Sequence, residues 1–541
     1  MPSGIMLWTG IYAAVTVLIL SFFPAYAPFS SFTWTFISVS ILSTIARLIY
    51  LIVLYPIFFT PFKNIPMPPG RSLLTGHFAQ LKKEPAGFCS RRWTQEIPNN
   101  GLIRYYFFTN FERLLVTTPK IFSEILVSKS YDFEKPTEVK ASLEQVLGNG
   151  ILIAEGDVHR RQRRILNPAF SFRHVKDLYP IFWNKGAEMV NAIENSIKSQ
   201  PSNVIQISSW ASRTTLDIIG IAGMDHDFNA INDPNNRLNM EYKKMFSDPT
   251  GTAMLLRFLS FTVDSRLGTL IPTKRNREVD EGAAYVRSIC QQMIDAKRAK
   301  MTKGESRSVD ILSVALESGG FSDAELINQM MTFLAAGHET TATALQWTAY
   351  ALCKHPTIQS RLRDEIRSAL PPLTATTTET PTISASLIDS LPYLNAVCSE
   401  VLRFYAPVPM TVRAAVRDTT LDGTFIPKGT VLTISPAATN HNPELWGADA
   451  GTFDPERWMG AGKAKQGGAE NNYAFMTFLH GPRSCIGSAF SRGELACLVA
   501  CLVGKFEMEL LEPEKELDIK SGVTAPPRDG VVAKVRVVEG W

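Results

Sequence analysis

The sequence predicts a mainly α-helical fold with a small β-rich subdomain, preceded by an N-terminal membrane anchor. Three observations predict it. A capping-box pattern, Ser322-Asp-Ala-Glu325, opens an apolar run reaching about Lys354, which makes a helix of more than about eight turns. Alternation of apolar and polar residues is concentrated around Thr420 to Ile434, with turn dipeptides at Asp422-Gly423 and Lys428-Gly429, so strands are the minority. No charged side chain occurs from Met1 through Ala46. Apolar stretches run there from about Ile5 to Phe23 and from about Trp34 to Phe59, each near the ~20 residues that cross a bilayer.

A cleaved signal peptide wants a positive leading segment and a small-residue cleavage site, and neither is clear, so the anchor is expected to be retained. Arg47 interrupts the second stretch at a cost of about 2.5 to 3.5 kcal/mol for a central position. One span and two spans both stand. Lys63, Arg71, Lys82, Lys83, Arg91 and Arg92 follow the apolar region and place the bulk of the chain in the cytosol. Pro66-Met-Pro68-Pro69-Gly70 then breaks any helix and reads as a stiff hinge. The expected division is residues 1–60 as anchor and 61–541 as catalytic body.

Of the 541 residues, 55 are basic and 51 acidic, a net charge of +4 that is too balanced for a nucleic-acid binder. The seven cysteines are scattered without a disulfide framework, which fits a reducing compartment.

Along the body, Gly156 to Pro168 reads as a basic helix in which His159 and Arg163, four apart, share a face. Arg160, Arg161 and Arg164 form a solvated face or a dock for an acidic partner. Thr215 to Phe228 reads as a buried helix, Asp225 to Pro272 as irregular and apolar, and Pro371 to Ser386 as a surface loop. Inside the long helix, Ala336-Gly-His-Glu339-Thr340-Thr341 is polar and poor in helix propensity where structure alone prefers leucine or alanine. Glu400 and Arg403 sit three apart among apolar neighbours, where a buried pair wants a third partner, and Arg457 offers one. These three are given a folding role.

Phe478-Leu-His-Gly481-Pro-Arg483-Ser-Cys485-Ile-Gly487 precedes a helical run from Ser491 to Val503. A cysteine just before a helix N-terminus, near Arg483, is favoured as a thiolate and can bind a metal. The spacing F-x-x-G-x-R-x-C-x-G resembles the haem-binding loop of the cytochrome P450 haem-thiolate monooxygenases, and Ala336 to Thr341 resembles the oxygen-binding segment of the same family. E-x-x-R and the His159/Arg163 helix follow in family order, so the resemblance covers roughly Pro66 to the C-terminus.

The resemblance implies haem b as cofactor, with Cys485 as the metal ligand that favours O–O cleavage. It implies Phe478 shielding the sulfur, Gly481 and Gly487 allowing the turn and the close approach of a flat macrocycle, and His159, Arg163, Arg413 and Arg483 holding the haem propionates. Thr340 and Glu339 become the catalytic pair that passes protons to oxygen, with Gly337 leaving room beside the iron. It also implies O2, a lipophilic small-molecule substrate, NADPH-cytochrome reductase as electron donor, and an endoplasmic reticulum membrane with the catalytic domain facing the cytosol. Val139 to Ile153, Phe333, Ala336, Val408, Met410 and Val523 are candidates for the cavity wall. The texture resembles fungal enzymes of specialised metabolism, with a terpenoid-like scaffold as the expected substrate. A haem-thiolate isomerase or dehydratase needing no reductase, and a non-catalytic membrane haem sensor, are the competing readings.

Overall fold

The computed structural model of the chain describes residues 2–199, 202–247, 273–304, 310–373 and 383–541. It divides into two compact units, residues 1–79 with 104–113, and residues 80–103 with 114–541. Most of the expected surface loop, and residues 248–272 of the stretch from Asp225 to Pro272 expected to be irregular, lie outside the described residues; the described part of that stretch is not irregular throughout but forms a helix over Arg237–Met245.

In the first unit, α1 (Pro2–Phe22) is followed by α2 (Phe32–Ile49). Helix α2 continues as wider π-helical turns over Tyr50–Phe59, where Pro56 has no amide to donate. The combined apolar helix, Phe32–Phe59, has 28 residues and a mean hydropathy of 2.2. It is long enough, at about 1.5 Å per residue, to cross the ~30 Å of a bilayer core. Gly10–Phe22 is a shorter apolar helix, and among the described residues one helix meets the length and composition of a span. Arg47 lies within it.

The second unit is built around one buried helix. Among the helices described here are α3 (Gly156–Leu166), α4 (Tyr179–Ser199), α5 (Ile207–Met224), α6 (Arg237–Met245), α7 (Lys274–Thr302), α8 (Asp323–Lys354), α9 (Pro356–Ala369), α10 (Pro392–Phe404) and α11 (Ser488–Lys505). The capping box forms as its sequence predicts: Ser322 accepts from the Glu325 amide and the Glu325 carboxylate accepts from the Ser322 amide. Burial on every face of α8 explains why its apolar pattern runs continuously rather than as a stripe. Helices α5, α7 and α11 pack against it. Its N-terminal half is also tied to the chain before α3: Thr332 Oγ1 donates to the Leu147 carbonyl at 2.9 Å, and Gln329 Oε1 accepts from the Ile151 amide at 2.9 Å.

The strands are few and short. Strand β1 (Phe133–Glu134) pairs with β3 (Thr411–Ala415), which pairs antiparallel with β6 (Val431–Ile434) from Thr411↔Ile434 to Ala414↔Val431. Strands β4 (Thr419–Leu421) and β5 (Thr424–Ile426) form the expected hairpin, with Asp422 and Gly423 at φ 46° and 78°. A third sheet, of β2 (Val204–Gln206), β7 (Phe506–Leu510) and β8 (Val532–Val537), joins the end of the chain to the start of α5.

The Glu400–Arg403 pair is fully buried, with Nη2–Oε1 at 2.7 Å and Nε–Oε2 at 2.8 Å. Arg403 also donates to the carbonyls of Asn440, Ala450 and Thr452. Arg457 Nε forms the expected ion pair with Glu400 at 3.9 Å, too long for a hydrogen bond, and also engages Asp449 at 2.7 Å. The close further partners of Glu400 are Trp458 Nε1 at 2.9 Å and the Asp454 amide at 2.9 Å. The pair therefore welds α10 to the segment from Asn440 to Trp458.

Candidate active site

The Cys485 loop is a closed turn whose shape follows from two residues with positive φ. Gly481 has φ 77°, and a Cβ there would land on the Leu126 carbonyl oxygen, 2.9 Å from its carbon and 3.2 Å from Val127 Cγ2. No other residue fits. Leu479 also lies in the left-handed region, at φ 54°. The Cys485 amide donates to the Phe478 carbonyl at 2.9 Å, and the Ser484 amide to the Gly481 carbonyl at 3.0 Å. From α3, Arg163 Nη1 donates to the Ser484 carbonyl at 2.6 Å, while its Nε donates to Asn167. Arg492 of α11 lies 4.9 Å over the Phe478 ring.

Gly487 caps α11, and a Cβ there would meet nothing nearer than Phe170 Cε1 at 3.9 Å. This glycine is not required by the protein's own packing. Phe170 in turn packs on Phe333 of α8 with ring centroids 5.5 Å apart. Cys485 is exposed, whereas Cys89, Cys290, Cys398, Cys497 and Cys501 are buried and Cys353 is half-buried. Sequence alone suggests a thiolate favoured by Arg483. In the structure, desolvation dominates and pushes the thiol up, opposed by the Gly487 amide and the Arg163 charge. Arg483 points elsewhere, so a bound metal ion is what would hold the sulfur deprotonated.

Arg483 joins a cluster of charges drawn from four parts of the chain. Its Nη1 donates to the Phe133 carbonyl at 2.6 Å and its Nη2 to the Glu155 carboxylate. Glu155 also accepts from the Lys135 amide at 2.9 Å. Arg413, buried on β3, donates to Thr411 Oγ1 and the Val412 carbonyl; burial, and then the Arg483 charge, bring it down to about 10. His159 is buried, with Nδ1 3.1 Å from the Tyr131 hydroxyl. Burial, then Arg483 and Arg163, lower it to about 4, so it is neutral at pH 7 and offers an N–H rather than a charge. His159, Arg413 and Arg483 are thus brought together, and Arg163 braces the cysteine loop beside them.

On α8, Ala336, Gly337, Glu339 and Thr340 keep accessible surface in the middle of a helix that is otherwise buried. Thr340 Oγ1 donates to the Ala336 carbonyl at 2.9 Å, the local bond expected of a threonine within a helix. Glu339 Oε1 accepts from Thr524 Oγ1 at 3.2 Å. The Thr524 segment is itself pinned, since Trp347 Nε1 donates to the Ala525 carbonyl and the Ala525 amide to the Pro407 carbonyl, each at 2.9 Å. The missing side chain of Gly337 makes room for Ile219 of α5, at 2.8 Å from a Cβ, so the glycine serves helix packing. Of the expected cavity wall, Phe333 and Ile153 belong to the core, while Ala336, Val408, Met410 and Val523 keep surface.

These donors suit a haem: one accessible cysteine, a glycine with open space beside it, and buried cations that outnumber their carboxylate partner. The Cytochrome P450 family model matches residues 66–533. The chain belongs to the cytochrome P450 family. Among relatives of this P450, the Cytochrome P450 monooxygenase sphH of Aspergillus fumigatus is 52% identical over 503 residues, covering 92% of each chain. The Cytochrome P450 monooxygenase ALT8 of Alternaria alternata is 40% identical, covering 90% of this chain and 92% of its own. The Cytochrome P450 monooxygenase FSL4 of Gibberella zeae is 40% identical, covering 92% of each. This P450 is accordingly a monooxygenase, and the family implies a haem-iron cofactor, a redox partner and O2.

Motif reading misses Lys135, Glu155, Tyr131, Thr524 and Trp458. Each acts through a contact distant in sequence, and none stands in a patterned stretch.

Proposed function

We propose that this P450 inserts one oxygen atom from O2 into a bulky lipophilic small molecule of specialised metabolism. Haem b would lie between α8 and the Cys485 loop, with Cys485 as its iron ligand. When bound, the haem supplies the redox chemistry that activates O2. His159, Arg413 and Arg483 hold its carboxylates, and Phe478 covers the sulfur. Glu339, which accepts from the Thr524 hydroxyl, and Thr340 would relay protons from the accessible side of α8, Thr340 by turning its hydroxyl hydrogen away from the Ala336 carbonyl. The observation that carries this reading is the accessible Cys485 beside a buried surplus of cations.

Residues 1–60 form the anchor in this reading, and the body from 61 faces the cytosol at the endoplasmic reticulum membrane. Electrons come from NADPH through a membrane-bound flavoprotein reductase. Of the arginines on α3, Arg160 is occupied by Asp157 and the Tyr131 ring and Arg161 by Glu325, which leaves Arg164 as the best test of docking.

The reduced carbon monoxide complex of the purified protein should show the red-shifted thiolate Soret band, absent in Cys485→Ala. Product formation from a panel of lipophilic scaffolds, terpenoids first, should require NADPH and reductase and be read by mass spectrometry. Turnover without either would replace this reading with a haem-thiolate isomerase. Thr340→Ala should uncouple NADPH use from product, and unchanged coupling would remove its assigned role.

A further inference from the structure

Arg492 of α11 is a basic side chain without an acid. It is half-buried, and burial brings it down to about 10, so it stays charged at pH 7. The other group acting on that charge is Cys398, and no carboxylate does. Glu494, two residues on, lies against Thr341 of α8, and burial pushes its carboxyl up, so it supplies no countercharge. Arg492 Nη1 reaches Ser399 Oγ of α10 at 3.5 Å, the long end of hydrogen bonding.

What the guanidinium has instead is two rings. Its carbon lies 4.9 Å from the centroid of Phe478 and 5.1 Å from that of Phe475, rings whose centroids are 6.2 Å apart. Phe478 begins the closed turn, and its carbonyl accepts from the Cys485 amide at 2.9 Å. Arg492 thus reaches back from the second turn of the helix that follows the cysteine to the residue that opens the cysteine loop. A cation over an aromatic face is attracted by the ring quadrupole and holds the ring in place. It also draws ring electron density toward itself, which leaves the opposite face less negative.

We propose that Arg492 is a positioning residue for electron entry: it fixes Phe478 against the cysteine loop and, through that ring, raises the reduction potential of the haem iron that Cys485 would bind. This rests on the reading above that a haem is bound there. The step is the one-electron reduction supplied by the redox partner, in which the electron goes to the iron, no bond breaks and no proton moves. A fixed positive charge beside the cysteine loop stabilises the reduced form more than the oxidised one by Coulomb attraction. The assignment accounts for a cation that no acid of the protein balances, set in a largely buried and apolar helix.

The test is a spectroelectrochemical titration of purified full-length holoenzymes, wild type, Arg492→Met, Arg492→Gln and Arg492→Lys, with denaturant stability measured alongside. At the wild-type midpoint potential, Arg492→Met and Arg492→Gln should each show a ratio of reduced to oxidised haem at least about threefold lower, the lower range of what a cation over a ring is worth. Arg492→Lys should stay within about twofold of wild type, because an ammonium keeps the charge over the ring. In a Phe478→Leu background the Arg492→Met change should shrink by about half or more. Unchanged midpoints in both neutral variants would overturn the proposal whatever happens to stability. So would a lysine variant displaced as far as the methionine one, which would mean that only the packing of the arginine counts. The same displacement with and without the Phe478 ring would overturn the route through that ring. A wild-type protein whose reduced carbon monoxide complex lacks the thiolate band would instead overturn the haem reading, and this inference with it.

Discussion

Replacing Gly481 by alanine strikes the turn that presents Cys485, and the cost can be worked from two terms. At φ 77° an L-residue with a side chain is strained by about 1 to 2 kcal/mol. The new Cβ would also coincide with the Leu126 carbonyl and lie 2.9 Å from its carbon. A backbone carbonyl cannot swing aside as a side chain can, and Leu126 is itself buried, so the added methyl behaves as overpacking, another 1 to 3 kcal/mol or so. Gly481→Ala should therefore lose about 2 to 5 kcal/mol of stability. The strain is relieved most cheaply by moving the loop, and the Cys485 amide hydrogen-bonds within that loop to Phe478. Denaturant titration of the purified protein together with the reduced carbon monoxide spectrum reads both effects. A variant within about 0.5 kcal/mol of wild type, with the thiolate band intact, would refute the left-handed turn against Leu126.

Gly487→Ala is the contrasting case: a Cβ meets only Phe170 at 3.9 Å, so stability measured without haem should change by less than about 0.5 kcal/mol while haem content falls. Equal losses in both would show that the glycine serves the protein's own packing. Gly337→Ala should cost about 1 to 3 kcal/mol by pressing on Ile219, and should cost less in an Ile219→Ala background, a coupling that a double-mutant cycle on denaturant stability measures. For His159, the folded value of about 4 lies below the ordinary 6.5, so the unfolded chain takes up a proton first as pH falls. Stability from this group is full above pH 6.5 and is lost on acidification, by about 2 kcal/mol between pH 6.5 and 5. Relative to His159→Gln, wild type should lose that much more stability over the same interval, and parallel curves would show that the imidazole is not held neutral.

What could be read from the sequence was whatever leaves a local trace. The capping box at Ser322 and the turn at Asp422-Gly423 form as expected because each is closed by residues two or three apart. The Cys485 loop is legible for a similar reason: a positive φ at Gly481 and a cysteine before a helix are properties of ten consecutive residues. Helices α4 and α7 carry no such signal in isolation, since much of their burial comes from neighbours far along the chain. The same holds for the partner of Glu400. Arg457 and Trp458 are adjacent in sequence, and only the path of the chain from Asn440 to Trp458 decides that the indole reaches the carboxylate at 2.9 Å while the guanidinium stops at 3.9 Å.

The division between legible and hidden residues follows the chemistry they serve. A sulfur ligand needs one residue in one turn, so a motif can encode it. A buried charge cluster needs only its members at one place, and this one is assembled from β1, the residue before α3, β3 and the cysteine loop. No single segment must keep a pattern for the sum to be right. Glu155 makes the point physically. As the residue before α3 it could be read as an ordinary helix-entry carboxylate, yet its side chain caps nothing there and reaches Arg483 and the Lys135 amide instead. The turn that holds Cys485 and the charges that surround it are thus joined through Arg483, which leaves the loop to bind Phe133 and Glu155. A change that frees Glu155 should disturb the cation cluster while leaving the Gly481 turn in place.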